Sequence, residues 1–299
     1  MSALSSDDAD PSLLVCVLDV DVASWNSRLG STLENQVTYD EVVSSLIVFC
    51  NTYVLMHRAN KLAVLVSRQG ECKQVYPRRI LQDTTPSEAN QNQTTSEGAS
   101  DDFVPVGHLL PSILASGLLD PSLISGFSNA AAVNSVGGKP RSYISSAMSK
   151  ALCIINKQKL LTPKVQPRIL VVQLGNDDAK SYNNMMNGIF SADKFNAPVD
   201  AVVLGEKDSH FLQQACYLTR GTYQKPRDQR DLLQLLLTHC LPSSYMRSKL
   251  HAPVQRTVDF RASCVCHKKP VAFAYMCSVC LALFCEPGTK CLVCEIPAR

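Results

Sequence analysis

The sequence predicts an α/β protein: a mostly parallel sheet with helices on both faces, followed by a small C-terminal zinc-binding module. Three observations carry this. Short, almost continuous apolar runs such as LLVCVLD and RILVVQL suit strands buried on both faces. These runs alternate with longer segments whose apolar residues recur at helical spacing, and strand–helix alternation makes a parallel sheet covered on both sides. Seven of the 13 cysteines then fall between Cys264 and Cys294, where the alternation has stopped.

Residues 11–245 hold the expected α/β domain. LLVCVLD opens it as a buried strand ending on Asp19, with Asp21 just beyond. In TYDEVVSSLIVFCNTYVLMHR, Thr38 and Glu41 form a capping box, in which each side chain takes an otherwise unpaired backbone N–H. Val42, Val43, Leu46, Ile47, Cys50, Tyr53 and Val54 follow at helical spacing. KLAVLVS and KQVYP are the next two strands. Residues 81–102, LQDTTPSEANQNQTTSEGASDD, hold almost no large apolar side chain. Such a segment cannot offset the entropy of ordering, which predicts a flexible surface loop. VGHLLPSILASGLL and ISSAMSKALCIINKQ read as helices, RILVVQL as a strand, NNMMNGIFSADKFN as a helix and PVDAVVL as a strand. HFLQQACYLTR is a helix whose left-handed C-cap position falls on Gly221. GTYQK is a short last strand and RDLLQLLLTHCL the last helix, and residues 255–299 form the second unit.

Composition narrows the function classes. The chain has 299 residues, 45% hydrophobic and 18% charged, as expected of a globular protein. No apolar run reaches the ~18 residues that a membrane helix needs. The start, MSALSSDDADPS, is polar and acidic, unlike a secretory or mitochondrial leader, so the cytosol or nucleus is expected. The net charge of +3 is uneven: from Arg247 onward eight basic side chains face three acidic ones, leaving +5 in the tail and −2 elsewhere. A mildly basic tail of this kind predicts a contact with DNA that is at most weak or indirect.

Clustered thiols without a secretion signal point to metal rather than to disulfides. The tail offers CxC at Cys264 and Cys266 with His267 adjacent, CxxC at Cys277 and Cys280, a lone Cys285, and CxxC at Cys291 and Cys294. The turn inside a CxxC pair aims both sulfurs at one ion, and two pairs complete the tetrahedron that zinc favours. Seven cysteines and His267 make eight candidate ligands, enough for one Zn2+ ion or two in an interleaved arrangement. His267 is either the eighth ligand or a surface histidine. One grouping joins the CxC pair to Cys277 and Cys280. Another joins the two CxxC pairs and leaves Cys264, Cys266, His267 and Cys285 for a second ion. Four protein ligands leave no open position for water, so such a site is structural rather than catalytic.

Asp19 and Asp21 admit two readings. In LDVDVA they match the nucleophile and general acid of a haloacid-dehalogenase-like phosphatase, with Ser67 and the Asp177–Asp178 pair as further elements, but no suitable lysine is evident. The alternative is a metal-ion-dependent adhesion site of the von Willebrand A type, built from hard oxygen ligands. There the pattern DxSxS has become Asp19, Asp21 and Ala23, Asp177 or Asp178 stands for the distant carboxylate, and no threonine presents itself. The residues Asp19, Asp21 and Asp177 thus read as a degraded adhesion-type metal site without catalysis, with the phosphatase as the alternative.

Finally, VDFRASCVCH, YMCSVCLALFC and CLVC, together with NKLAVL, SHFLQQACYLTRGTY and the helix containing SKALCIIN, resemble the Tfb4 family. These are the small subunits of the general transcription and DNA-repair factor TFIIH, with a von Willebrand A-like domain and a C-terminal zinc finger. The likeness runs from about Leu13 to Cys294. It implies a nuclear, non-catalytic docking subunit. The implied partners are a ring-finger-bearing von Willebrand A subunit of TFIIH and the other core subunits, which serve transcription initiation by RNA polymerase II and nucleotide excision repair. It also implies a four-cysteine finger on Cys264, Cys266, Cys277 and Cys280.

Overall fold

The structure, a computed structural model, describes residues 11–20, 38–68, 71–77, 110–120, 143–178, 181–205, 207–226, 228–250, 258–262, 264–267, 271–288 and 290–297. Asp21 and the polar segment 81–102 lie outside the described residues. The elements follow in order as β1 (Ser12–Asp19), α1 (Tyr39–Met56), β2 (Lys61–Arg68), β3 (Glu71–Tyr76), α2 (Leu110–Leu118), α3 (Ile144–Leu161), β4 (Gln166–Gln173), α4 (Tyr182–Lys194), β5 (Val199–Val203), α5 (His210–Leu218) and β6 (Tyr223–Gln224). A last helical segment has a short α6 (Leu232–Leu235) that widens into a π-turn over Leu236–Cys240, and α7 (Ser244–Lys249) follows.

The strands form one sheet in the order β3-β2-β1-β4-β5-β6, parallel except for the antiparallel edge strand β3. This is the doubly wound arrangement that the alternation of elements predicts, and it suits the von Willebrand A-like domain that the resemblance implies. Because successive side chains of a strand point to opposite faces, β1 feeds two cores. Leu14, Cys16 and Leu18 pack with α1, α2 and α6, while Leu13, Val15 and Val17 pack with α3, α4 and α5. At the entry of α1 both halves of the predicted capping box form: Thr38 Oγ1 accepts from the Glu41 N–H at 3.3 Å, and Glu41 Oε2 accepts from the Thr38 N–H at 2.9 Å.

Two local expectations are corrected. The left-handed residue ending α5 is Arg220, at φ 61°, and not Gly221. The Arg220 N–H reaches Tyr217 O at 3.4 Å and the Gly221 N–H reaches Cys216 O at 2.8 Å, the paired bonds of a Schellman cap. Glycine is needed at 221 for another reason: a Cβ there would lie 1.9 Å from the carbonyl oxygen of Val199 on β5. The last helix is also less regular than its sequence suggests. The Leu241 N–H reaches back five residues to Leu236 O at 3.0 Å, and the carbonyls of Cys240 and Leu241, at the C-terminal end of the helix, take other donors.

Those donors come from a buried ion network that sequence reasoning missed. Asp200 on β5 is 0% exposed and sits between two guanidiniums. Arg168 of β4 reaches its Oδ2 at 3.0 Å, and Arg247 of α7 holds both oxygens at 2.7 and 2.6 Å. Arg168 donates to the carbonyls of Cys240 and Leu241 as well, and Arg247 to that of Cys240. Thr222 adds its N–H and hydroxyl to Asp200 Oδ1, both at 2.9 Å. A charged residue inside each of the apolar runs PRILVVQ and PVDAVV was the available signal, since a buried charge requires partners.

Candidate metal centre

The C-terminal module is built on two backbone knuckles of the same design. In the first, the Leu281 N–H bonds Cys277 O at 3.0 Å and the Cys277 N–H bonds Ala282 O at 2.9 Å. In the second, the Glu295 N–H bonds Cys291 O and the Cys291 N–H bonds Ile296 O, each at 2.9 Å. Each knuckle closes on a left-handed residue just past its second cysteine, Leu281 at φ 59° and Glu295 at φ 59°. Two short antiparallel strands, β7 (Tyr275–Met276) and β8 (Leu283–Phe284), flank the first knuckle.

This backbone gathers the predicted ligands into two groups. Cys277, Cys280, Cys291 and Cys294 form one; Cys264, Cys266, His267 and Cys285 form the other, with the ligand atoms of each group within 4.8 Å of one another. The CxC pair is thus grouped with Cys285 rather than with Cys277 and Cys280. In the four-cysteine group, Cys277 Sγ lies 3.7 Å from Cys294 Sγ and Cys280 Sγ 3.4 Å from Cys291 Sγ. A tetrahedron with Zn–S bonds of about 2.3 Å has sulfur–sulfur edges of about 3.8 Å, so these spacings fit an ion of that size. In the mixed group, Cys285 Sγ lies 3.1 Å from Cys266 Sγ and 3.0 Å from His267 Nδ1. Along the chain the groups interleave, because Cys285 of the mixed group falls between the two CxxC pairs of the other.

The electrostatics match a thiolate site. The backbone N–H groups of Cys280 and Val279 bring the Cys277 thiol down to about 6. Desolvation pushes Cys280 up to about 12, and the contact with Cys266 raises Cys285 to about 11. Crowded thiols cannot all ionise side by side, and a bound cation removes that conflict. If all four members of a group bind one ion, no ligand position is left for water, and such a site would be structural.

The carboxylates at the other end of the chain are occupied differently. Asp19 is 1% exposed and accepts the Gly175 N–H at 3.2 Å. Ser67, its register partner on β2, is 0% exposed. Asp177 spends both oxygens on the start of α5: Oδ1 accepts from Ser209 Oγ at 2.6 Å and from Gln173 Nε2 at 3.2 Å, and Oδ2 from the Phe211 N–H at 3.2 Å. It acts as a brace between β4 and α5, and Asp178 beside it is half-buried. The Gly175 N–H holds the buried Asp19 carboxylate, and no observation among the described residues favours the phosphatase reading.

The module also touches the larger domain. Asn183 Nδ2 in the first turn of α4 donates to Cys280 O at 2.9 Å, Gln214 Nε2 of α5 donates to Asp259 O at 2.8 Å, and Tyr217 meets the Phe260 ring edge-on at 5.1 Å.

Residues 11–295 match the family model for transcription factor Tfb4. The chain is 31% identical over 350 residues to general transcription factor IIH subunit 3 of Dictyostelium discoideum, covering 98% of this chain and 90% of that protein. It is 33% identical over 298 residues to the general transcription and DNA repair factor IIH subunit tfb4 of Schizosaccharomyces pombe, covering 97% of this chain and 90% of that one. The crystal structure of the TFIIH p34 N-terminal domain superposes with a TM-score of 0.54 at 21% identity, over 77% of this chain and 97% of that chain, a likeness of fold.

Proposed function

The chain belongs to the Tfb4 family, and on that premise we propose that it is a structural, non-catalytic subunit of TFIIH that serves transcription initiation and nucleotide excision repair by docking partner subunits. The observation that carries this is the extent of the match: the family model runs through the A-like sheet and both cysteine knuckles without leaving either out. Residues 11–245 supply the platform, with Arg247 anchoring the chain just beyond it, and residues 255–299 supply the zinc module. Zinc is held at two centres, one on Cys277, Cys280, Cys291 and Cys294, the other on Cys264, Cys266, His267 and Cys285. The ions replace the core that a module of some forty residues lacks. The partner at the platform is the ring-finger-bearing A-domain subunit of the same factor, the site of action is the nucleus, and DNA is met weakly or through other subunits. The engagement of Asp19 and Asp177 with backbone and hydroxyl donors supports a silent A-like site.

Affinity purification of the tagged full chain from nuclei, followed by gel filtration and mass spectrometry, tests the reading. TFIIH subunits are expected to co-elute with it in stable proportion. A chain that elutes free of every TFIIH subunit, or that releases phosphate from an ester in a manner abolished by Asp19→Asn, refutes it.

A further inference from the structure

Of the contacts between the module and the A-like domain, two hold the strap at residues 258–262: Gln214 on the Asp259 carbonyl, and Tyr217 against Phe260. Among the described residues, only the third reaches into a knuckle. Asn183, half-buried at the start of α4, donates its side-chain amide to the carbonyl of Cys280. That carbonyl belongs to the Cys280–Leu281 peptide, whose orientation is set by the left-handed backbone of Leu281, φ 59°. A residue with a Cβ adopts this conformation only when its surroundings impose it. Here the imposing element is the knuckle, closed by the Leu281 N–H on Cys277 O and the Cys277 N–H on Ala282 O, with both sulfurs turned to the inside of one cluster. An ion gripping Cys277 and Cys280 locks the turn. Released, the strained peptide is free to relax and its carbonyl to turn away from Asn183.

We infer that metal binding at the four-cysteine cluster docks the C-terminal module onto α4 through the Cys280 carbonyl and Asn183, so that the A-like domain senses whether the module is loaded. This rests on the reading that the cluster holds zinc. Coupling of this kind is reciprocal: what docking gains from the metal, the metal gains from docking, by the same factor. Asn183 is therefore a positioning residue for an ion that it never touches. Its consequence for assembly is direct, since a loaded module is presented to partners at a fixed place on the domain and an empty one is not.

The experiment uses the full chain, stripped and titrated with cobalt(II), whose absorption separates a four-thiolate site from one with three thiolates and an imidazole. Amide exchange across α4 is followed with and without metal. Loss of one net hydrogen bond corresponds to roughly fivefold. Asn183→Ala is therefore expected to weaken cobalt binding at the four-thiolate site about fivefold, and to give the loaded protein the faster α4 exchange of the stripped one. Asn183→Asp, which keeps the size and loses the donor, should do at least as much, while Asn187→Ala, exposed on the same helix, should change neither reading. Unaltered cobalt affinity in Asn183→Ala, with α4 exchange indifferent to metal, overturns the docking inference and leaves the zinc reading standing. A wild-type chain that shows no four-thiolate cobalt spectrum overturns both.

Discussion

Asp200 carries its charge with no exposure to water, and five hydrogen bonds converge on it. Burial alone would push its pKa up. The hydrogen bonds from Arg247 and the charges of Arg168 and Arg247 outweigh that and hold it below the usual carboxylate range. Asp200→Asn leaves two largely buried guanidiniums without their countercharge, and breaking such a cluster costs about 3–5 kcal/mol. Urea unfolding of the metal-loaded protein should show a loss of that size. The pH dependence follows from the direction of the shift. A depressed folded pKa means stability that is present above the unfolded value of about 3.9 and is lost as pH falls through the lower folded value. The gap between wild type and Asp200→Asn should stay constant from neutrality to about pH 4 and close below it. A gap that widens on acidification contradicts an ionised Asp200. The charged positions in the strands were visible in the sequence, but no spacing rule joins residues 168, 200 and 247. They meet because a parallel register sets Leu170 beside Asp200, and the chain after the π-turn brings Arg247 of α7 onto the same carboxylate.

Among the elements, strands and helices were legible where apolar periodicity was strong, as in β1, β4 and α1, because burial on one or two faces writes directly into residue order. The ends were less legible. At the close of α5 glycine's usual role points to Gly221, yet Arg220 takes the left-handed place and Gly221 makes room for the Val199 carbonyl. Close approach between distant segments leaves no local signature. Gly221→Ala should therefore be costly through the clash with β5, whereas Arg220→Gly should stabilise by up to about 1 kcal/mol. Thermal melts of the two variants, moving in opposite directions, would check the assignment, and melts moving together would refute it. The knuckles obey the same rule. Leu281 and Glu295 hold left-handed backbones that an L-residue adopts at a cost of ~1–2 kcal/mol each, which glycine would not incur. Leu281→Gly is expected to tighten metal retention against a chelator by up to about tenfold, offset in part by the greater freedom of glycine in the unfolded chain. Weaker retention in that variant would show that the Leu281 side chain, half exposed as it is, contributes more than its backbone costs.

At the scale of the molecule, the chain joins two solutions to the problem of stability. The A-like sheet buries apolar cores on both faces, as apolar strands and amphipathic helices allow. The module has few buried apolar side chains among its described residues, Ala282 beside Cys264 and Cys291, and exposes Phe273, Tyr275 and Met276. Its candidate ligands could be picked out from spacing, with His267 left open. Their partition was not, because CxxC pairs say which sulfurs act together and nothing about which pairs share an ion. The partition has a mechanical consequence. Cys285 divides the segment between Cys280 and Cys291, so an ion on the mixed cluster shortens the loop that the four-cysteine cluster must close. Loop closure is an entropic cost, and pinning the middle of a ten-residue span relieves part of it. Cys285→Ser removes a ligand from the mixed cluster alone, yet it should weaken zinc at the four-cysteine cluster, on the order of tenfold. Native mass spectrometry during chelation would then show the variant's remaining ion leaving well before the same ion in the wild type. Far-ultraviolet circular dichroism should meanwhile keep the helical signal of the A-like domain after both ions are gone. If the remaining ion is held as tightly in Cys285→Ser as in the wild type, the two clusters are independent and the interleaving has no energetic meaning. If the sheet domain unfolds with the loss of zinc, its cores do not suffice, and the division of labour between burial and coordination is wrong.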